Sequence, residues 1–166
     1  MTNLEAVPIK KLLVLVSYHH RNTEKIARVM ADVLDAPIRS PQDIRSDDIQ
    51  EYDLIGFGSG IYDGMHHKKL LDLAERLPDT DGKKAFLFST SAIVNEDKVT
   101  KDHTALRNVL RRKGYMIVDE FACKGFNTNS FLKYFGGMNK GRPNHEDLEM
   151  AERFAETLRR EDLTIN

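Results

Sequence analysis

Short apolar runs alternate along the chain with segments in which apolar residues recur every three or four positions. The apolar runs predict buried strands at residues 12–16, 52–59, 84–90 and 115–123, with a weaker edge strand at 36–38. The helical spacing predicts helices at residues 24–31, 68–77, 104–113 and 145–160. Gly114 suits the C-terminal end of the third helix, and Asn144 suits the cap of the last. Residues 42–49 are polar and predict a short helix or turn.

This alternation of strands and helices predicts a parallel sheet with helices on both faces, because right-handed crossovers place successive helices above and below the sheet. Five strands suit the doubly wound order 2-1-3-4-5. In such sheets a ligand binds beyond the carboxyl ends of the strands, where the strand order reverses. We therefore expect one α/β domain over residues 1–166, a three-layer sandwich with its site beyond the first, third and fourth strands.

The segments that follow these three strands are rich in glycine and small polar residues. The predicted site residues are Ser17, His19, His20, Arg21, Asn22 and Thr23 after the first strand, Ser59, Gly60, Ile61, Tyr62, Asp63 and Gly64 after the third, and Ser89, Thr90, Ser91 and Ala92 after the fourth. Glycine allows close approach of a ligand to the backbone, and Ser, Thr and Asn supply small hydrogen-bond donors. The first segment leads directly into a helix, whose unpaired N–H groups and dipole favour an anion such as phosphate.

The overall charge gives no sign of a polyanionic partner. The 166 residues include 25 basic and 26 acidic side chains, for a formal net charge of −1, so we expect neither nucleic-acid nor membrane binding. The single Cys123 excludes an intramolecular disulfide and agrees with a cytoplasmic location. Residues 1–8 lack the basic start and long apolar stretch of a signal peptide, and we expect a short frayed tail there.

Two pairs of adjacent histidines, at residues 19–20 and 66–67, raise the question of a metal site. Adjacent histidines in a loop rarely direct both rings to one ion, and no Cys or suitably spaced carboxylate completes a tetrahedral set. An imidazole beside a phosphate is the better interpretation. His103 and His145 are interpreted as polar residues at helix starts, and no Ser/His/Asp or Cys/His nucleophile is indicated.

Residues 17–27 resemble the phosphate loop of flavodoxins, in which a Ser/Thr-x-Thr-Gly-Asn-Thr pattern wraps the 5′-phosphate of flavin mononucleotide (FMN). Ser17, the pair Asn22-Thr23 and the following Glu24-Lys25-Ile26-Ala27 match that pattern. Arg21 stands where the family usually has Gly, and a histidine replaces a threonine. These departures leave the path of the loop backbone open, and a cationic Arg21 could compensate by pairing with the phosphate.

The second segment resembles the flavodoxin loop whose aromatic side chain stacks on the isoalloxazine ring. The resemblance implies that Tyr62 is this aromatic, flanked by Gly60 and Gly64. The Trp-Gly-Asp of many flavodoxins is absent, so the backbone flip that stabilises one-electron-reduced flavin is expected to be less favourable. The third loop supplies backbone donors to the pyrimidine edge in the family. Here residues 89–99 contain no aromatic, so an aliphatic such as Ile93 or Val94, or another part of the chain, would cover the ring.

Residues 124–144 form a connection that is long for a compact domain and too apolar for a solvated coil. Its Gly-Phe-x-Thr and Gly-Gly-x-Asn-Lys-Gly-x-Pro-Asn stretches, at residues 125–128 and 136–144, are similar to those of a group of flavodoxin-like proteins of bacteria and archaea. That likeness extends over residues 10–160. We expect part of the segment to close over the flavin or to form a homodimer contact that does so. The alternative is a small satellite core packed over the last helix.

The resemblance implies an FMN-binding protein that carries electrons between redox partner proteins, rather than an enzyme with its own substrate. Two alternatives stay open. An FMN-dependent NAD(P)H oxidoreductase acting on a small acceptor would be favoured by a second nucleotide-binding groove. A cofactor-free interaction module with the same fold would be favoured by the Gly-to-Arg departure at Arg21.

Overall fold

The computed structural model describes residues 7–126 and 137–163. The strands are β1 (Lys11–Val16), β2 (Ile38–Arg39), β3 (Leu54–Tyr62), β4 (Met65–His66), β5 (Lys84–Ser91) and β6 (Met116–Lys124). The helices are α1 (Asn22–Leu34), α2 (Lys68–Arg76), α3 (Glu96–Arg112) and α4 (His145–Leu163). Short 3-10 turns lie at His19–Arg21, Pro41–Asp43 and Asp48–Glu51.

The main sheet is parallel and has the order β2-β1-β3-β5-β6. The two-residue β4 turns back to pair antiparallel with the end of β3. Without this small hairpin strand the order is the predicted 2-1-3-4-5, so the flavodoxin-like fold is confirmed. The register aligns Val16 with Ser59 and Ser59 with Ser89. The end of β1 is therefore level with Ser59 and Ser89, and β3 and β5 run two or three residues further before their loops leave the same edge.

The sheet separates two apolar layers because successive side chains of a strand point to opposite faces. Residues of α2 and α3, such as Leu73 and Leu106, pack on one face. Residues of α1 and α4, such as Met30 and Ala155, pack on the other.

Two glycines of β3 make room for the rings of β5. A Cβ on Gly58 would lie 2.1 Å from the ring of Phe88, and Gly56 faces Phe86 in the same way.

Two elements differ from the sequence-based expectation. Helix α3 begins at Glu96, not at residue 104, because the side chain of Asn95 caps it by accepting a hydrogen bond from Lys98 N at 2.9 Å. His103 consequently lies in the middle of a helix and is fully buried, so its interpretation as a helix-start residue is wrong. Strand β3 extends to Tyr62 because the hairpin with β4 lengthens it.

The start of α4 matches the expectation. The side chain of Asn144 accepts a hydrogen bond from Asp147 N at 3.1 Å and so caps the helix that begins at His145. Over the described residues, no helix combines the length and the apolar character that crossing a bilayer requires.

Candidate functional site

A cleft opens at the carboxyl edge of the sheet, where the loops after β1, β3, β5 and β6 meet. It is lined by Tyr18, Asn22, Thr23, Gly60, Ile61, Tyr62, Thr90, Ser91, Ala92, Gly125 and Phe126. All three predicted loops contribute to it. Tyr18, Gly125 and Phe126 are missing from the predicted site residues. Gly125 and Phe126 could have been predicted from their position directly after the final strand of the sheet.

The loop after β1 has an unusual backbone that suits an anion. His20 and Arg21 both adopt positive φ, at 60° and 54°, and Asn22 returns to the right-handed helical region with φ −59°. A left-handed residue followed by a right-handed one turns successive N–H groups toward one side, an arrangement that binds anions. Arg21 thus takes a conformation that glycine adopts most easily. The Gly-to-Arg departure has not prevented a compact turn into α1.

The side chains of this loop are mostly bonded within the protein. Ser17 Oγ accepts a hydrogen bond from Glu24 N at 3.2 Å, so it caps the first turn of α1 and does not line the cleft. The hydroxyls of Thr23 and Thr90 are hydrogen-bonded at 2.8 Å and join the first loop to the third. The guanidinium of Arg21 is 78% exposed and lies 3.6 Å from Glu24. The side chain of His19 is outside the described part of the structure.

Asn22 carries the clearest sign of a missing partner. Its Nδ2 donates a hydrogen bond to Phe126 O at 2.8 Å, whereas its buried Oδ1 has no partner. A buried acceptor without a donor costs free energy, about 1–3 kcal/mol. A hydroxyl or N–H of a ligand in the cleft would supply that donor. The ring of His20 packs against Phe126 with centroids 4.3 Å apart.

The second wall is the hairpin that joins β3 to β4. Asp63 and Gly64 form its turn with φ 50° and 73°, values that a two-residue hairpin of this type requires. Neither lines the cleft, whereas Tyr62 does. The ring of Tyr62 meets His67 edge-on with centroids 5.0 Å apart, and the ring of Tyr18 lies 5.3 Å from the same imidazole. Two tyrosines and a histidine therefore form one aromatic side of the site.

The protonation of this aromatic wall is perturbed by its surroundings. Burial, together with the nearby Tyr18, raises the pKa of Tyr62. Burial and the Lys69 ammonium lower the pKa of His67. The Lys69 ammonium also donates a hydrogen bond to the Tyr18 hydroxyl at 2.6 Å. Tyr62 is thus held as a neutral phenol and His67 as a neutral imidazole at neutral pH.

The third wall follows β5 and contains no aromatic side chain. Ser91 Oγ donates to Ile93 O at 2.7 Å, and the side chain of Ile93 is 51% exposed. The aromatic that this loop lacks is present nearby, because Phe126 reaches the cleft from the end of β6. Residues 127–136, ten of the 21 residues of the predicted lid, lie outside the described residues, and so does any homodimer contact that they would make.

The predicted site residues Ser59 and Ser89 do not line the cleft; both are buried beneath it. Ser59 Oγ accepts from His67 N at 2.9 Å and fixes the start of α2. Ser89 Oγ lies 2.8 Å from His103 Nε2, and His103 Nδ1 lies 3.4 Å from the carboxylate of Glu120. This Ser-His-Glu order is one that the sequence did not indicate, since tertiary packing assembles it. Because Ser89 is buried and does not line the cleft, we interpret this group as a support for the end of β5 and not as a nucleophile.

The Glu120 carboxylate and a second buried histidine complete this network. Burial favours the neutral acid at Glu120, but the neighbouring His103 and Arg107 outweigh it and lower the pKa of Glu120 to about 2. The fully buried His66 lies 4.6 Å from His103, ring to ring, and its Nε2 is 3.3 Å from Phe88 O. Burial and the adjacent His103 lower the pKa of His66 to about 3. Among residues 7–126 and 137–163, no three His, Cys, Asp or Glu side chains form a group that could hold a metal ion.

The space between the walls is small. The cleft encloses about 60 Å³, room for a few water-sized groups. A phosphate is of that size, whereas a three-ring flavin must lie along the open side of the cleft or displace wall side chains such as Tyr62. The site therefore has a polar end at the N-terminus of α1 and an aromatic end beside the β3–β4 hairpin.

Comparison with known proteins agrees with this architecture. A flavodoxin-domain family model matches residues 13–139. The chain is 44% identical over 150 residues to an uncharacterized protein of Methanocaldococcus jannaschii, a match that covers 90% of this chain and 98% of that protein.

Solved structures show the same fold at low sequence identity. Oxidised Flavodoxin 2 from Bacillus cereus superposes with a TM-score of 0.68 at 19% identity and covers 92% of this chain and 99% of its own. The flavodoxin of Streptococcus pneumonia TIGR4 superposes with a TM-score of 0.66 at 21% identity, covering 91% and 99% respectively. The family match spans most of the sequence, and the chain belongs to the flavodoxin family.

Proposed function

We propose that this protein binds FMN noncovalently in the cleft and carries electrons between redox partner proteins in the cytoplasm. The observation that carries the proposal is the start of α1 at Asn22 and Thr23, which both line the cleft that the loops after β3 and β5 complete. An anion at one end and a planar ring at the other are what FMN would bring.

The chemistry of the donors and acceptors fits FMN. The N–H groups of the phosphate loop and the hydroxyl of Thr23 would hold the phosphate. The unpartnered Oδ1 of Asn22 would accept a hydrogen bond from a hydroxyl of the ribityl chain of FMN. A phosphate dianion alone has no such donor. The backbone of Thr90 to Ala92 would meet the pyrimidine edge, and Tyr62 and Phe126 would contact the ring.

FMN, when bound, supplies the redox chemistry by taking up and releasing electrons. The protein's contribution is to bind the cofactor, orient it and exclude water. The neutral Tyr62 and His67, with Tyr18 beside them, give the ring an aromatic neighbour. No described side chain needs to move a proton for this role, which suits an electron carrier.

Reconstitution tests the proposal. We expect the purified protein, mixed with excess FMN and passed through a gel-filtration column, to elute with visible flavin absorbance at about one flavin per chain. The chemically reduced complex should then pass electrons rapidly to a one-electron acceptor protein such as cytochrome c. Free FMN and riboflavin are the controls for each step. A protein that elutes without flavin would refute cofactor binding, and a bound flavin that reduces no protein acceptor faster than free FMN does would refute the carrier role.

A further inference from the structure

Residues 137–144 do not line the cleft, yet they touch two of its loops. The side chain of Asn139 donates from Nδ2 to Ala92 O at 2.7 Å and to Gly125 O at 3.3 Å. Ala92 and Gly125 line the cleft on the loops after β5 and β6. The side-chain amide of Asn139 therefore connects the loop after β5 to the loop after β6.

The same stretch is anchored to the body of the protein at its other end. The guanidinium of Arg142 makes two hydrogen bonds to the carboxylate of Asp147, which is 2% exposed. Asn144 N donates to that carboxylate at 2.8 Å, and Asp147 N donates to Asn144 Oδ1 at 3.1 Å. This reciprocal cap begins α4, which packs on α1 through the buried Ala151 and Ala155. Bidentate pairs of this kind fix geometry as well as adding stability.

A third connection runs from this anchor to the phosphate loop. Phe126 N donates to Arg142 O at 2.9 Å, and Phe126 O accepts from Asn22 Nδ2 at 2.8 Å. Gly125 is packed so closely on this amide that a Cβ there would lie 2.7 Å from Asn22 Nδ2. Phe126 therefore connects the phosphate loop to Arg142, which lies in the same stretch as Asn139.

We propose that residues 137–144 are a clip that sets the width of the cofactor cleft, with Asn139 and Arg142 as positioning residues for FMN. Asn139 fixes the loop after β5 relative to Gly125, and Arg142 holds Phe126 against the phosphate loop. Both act through the residues that line the cleft. The proposal rests on the proposed function, since it assigns the clip to the FMN site.

The chemistry at Asn139 offers a sharp variant. Both of its partners are carbonyl oxygens, so only a donor group serves there. Asn139→Asp keeps the size of the side chain and tolerates the observed φ of 57°, but it sets a carboxylate oxygen against two carbonyls. Lys140→Gln, at the exposed neighbouring position, is the matched control.

The experiment measures FMN and riboflavin affinity by quenching of flavin fluorescence, and hydrogen exchange of the Gly125 and Phe126 amides without flavin. We expect Asn139→Asp to weaken FMN binding at least tenfold and to speed exchange of the Phe126 amide, with Lys140→Gln matching the wild type in both. Wild-type FMN affinity and exchange in Asn139→Asp would overturn the clip while leaving FMN binding intact. A wild-type protein that binds no flavin would instead refute the proposed function, and the assignment of the clip to FMN with it.

Discussion

Burial of His66 predicts a loss of stability in mild acid. His66 is 1% exposed on β4, with the ring of His103 4.6 Å away and Arg107 and Glu120 beyond it. Burial and His103 lower its pKa in the folded state to about 3, against about 6.5 in an unfolded chain. Below pH 6.5 the unfolded chain therefore binds a proton that the folded protein does not.

The magnitude follows from linkage between proton binding and folding. A group with a depressed folded-state pKa contributes stability that is present above its unfolded pKa and is lost as the pH falls toward its folded pKa. Between pH 6.5 and 3 the loss is about 1.4 kcal/mol per pH unit, so a change from pH 7 to 5 costs about 2 kcal/mol. The Glu120 carboxylate, with its pKa lowered to about 2, adds a further loss only below about pH 4.5. The loss of stability between pH 7 and 5 therefore reports on His66 and not on Glu120.

Urea unfolding of the flavin-free protein at pH 7 and pH 5 measures this loss. We expect the free energy of unfolding of the wild type to fall by about 2 kcal/mol more than that of His66→Gln, which cannot take up the proton. His145→Gln, at a histidine that is 86% exposed, is the surface control for the loss of a histidine. An equal fall in the wild type and His66→Gln would show that His66 is protonated in the folded protein at pH 5, and would refute the reasoning.

Three further predictions concern the cleft and the loops around it. Thr23→Ala should weaken FMN binding by about 1–3 kcal/mol while leaving riboflavin nearly unaffected, as titration of both would show, because the lost donor serves the phosphate. Equal weakening of both flavins would place the phosphate elsewhere. Arg21→Gly should raise the free energy of unfolding by about 0.5–1 kcal/mol in urea, since relief of the left-handed strain exceeds the entropy cost of glycine; a lower value than wild type would contradict this. Potentiometric titration should show one-electron-reduced flavin only weakly stabilised, and a large amount of it, abolished by Gly64→Ala, would contradict that expectation.

The sequence predicts the sheet and the general location of the site because both depend on local patterns. Buried parallel strands need continuous apolar runs, and a ligand edge needs small polar residues where those runs stop. The start of α3 was harder to predict because residues 96–103 are polar, and their helix depends on the Asn95 cap. The β3–β4 hairpin has an Asp63-Gly64 signal, but β4 has only two residues, too few for an apolar pattern to show.

The contacts between distant side chains could not be read from the chain. Phe126 meets the phosphate loop only because β6 lies where it does in the sheet, and the approach of Ser89 to His103 depends on how α3 packs on β5. A one-residue change of register would point a different side chain at each partner. At Arg21 the residue type misled the prediction in the other direction. Although Arg21 departs from the family pattern, it still adopts the left-handed backbone that the turn requires.

A crystal structure of the protein grown with FMN tests the central claim most directly. We predict the phosphate within hydrogen-bond distance of the backbone N–H groups at the start of α1, at Asn22 and Thr23, the ring beside Tyr62, and a ligand donor on Asn22 Oδ1. Crystals from saturating FMN with no flavin in this cleft, or with the phosphate away from the start of α1, would contradict the account.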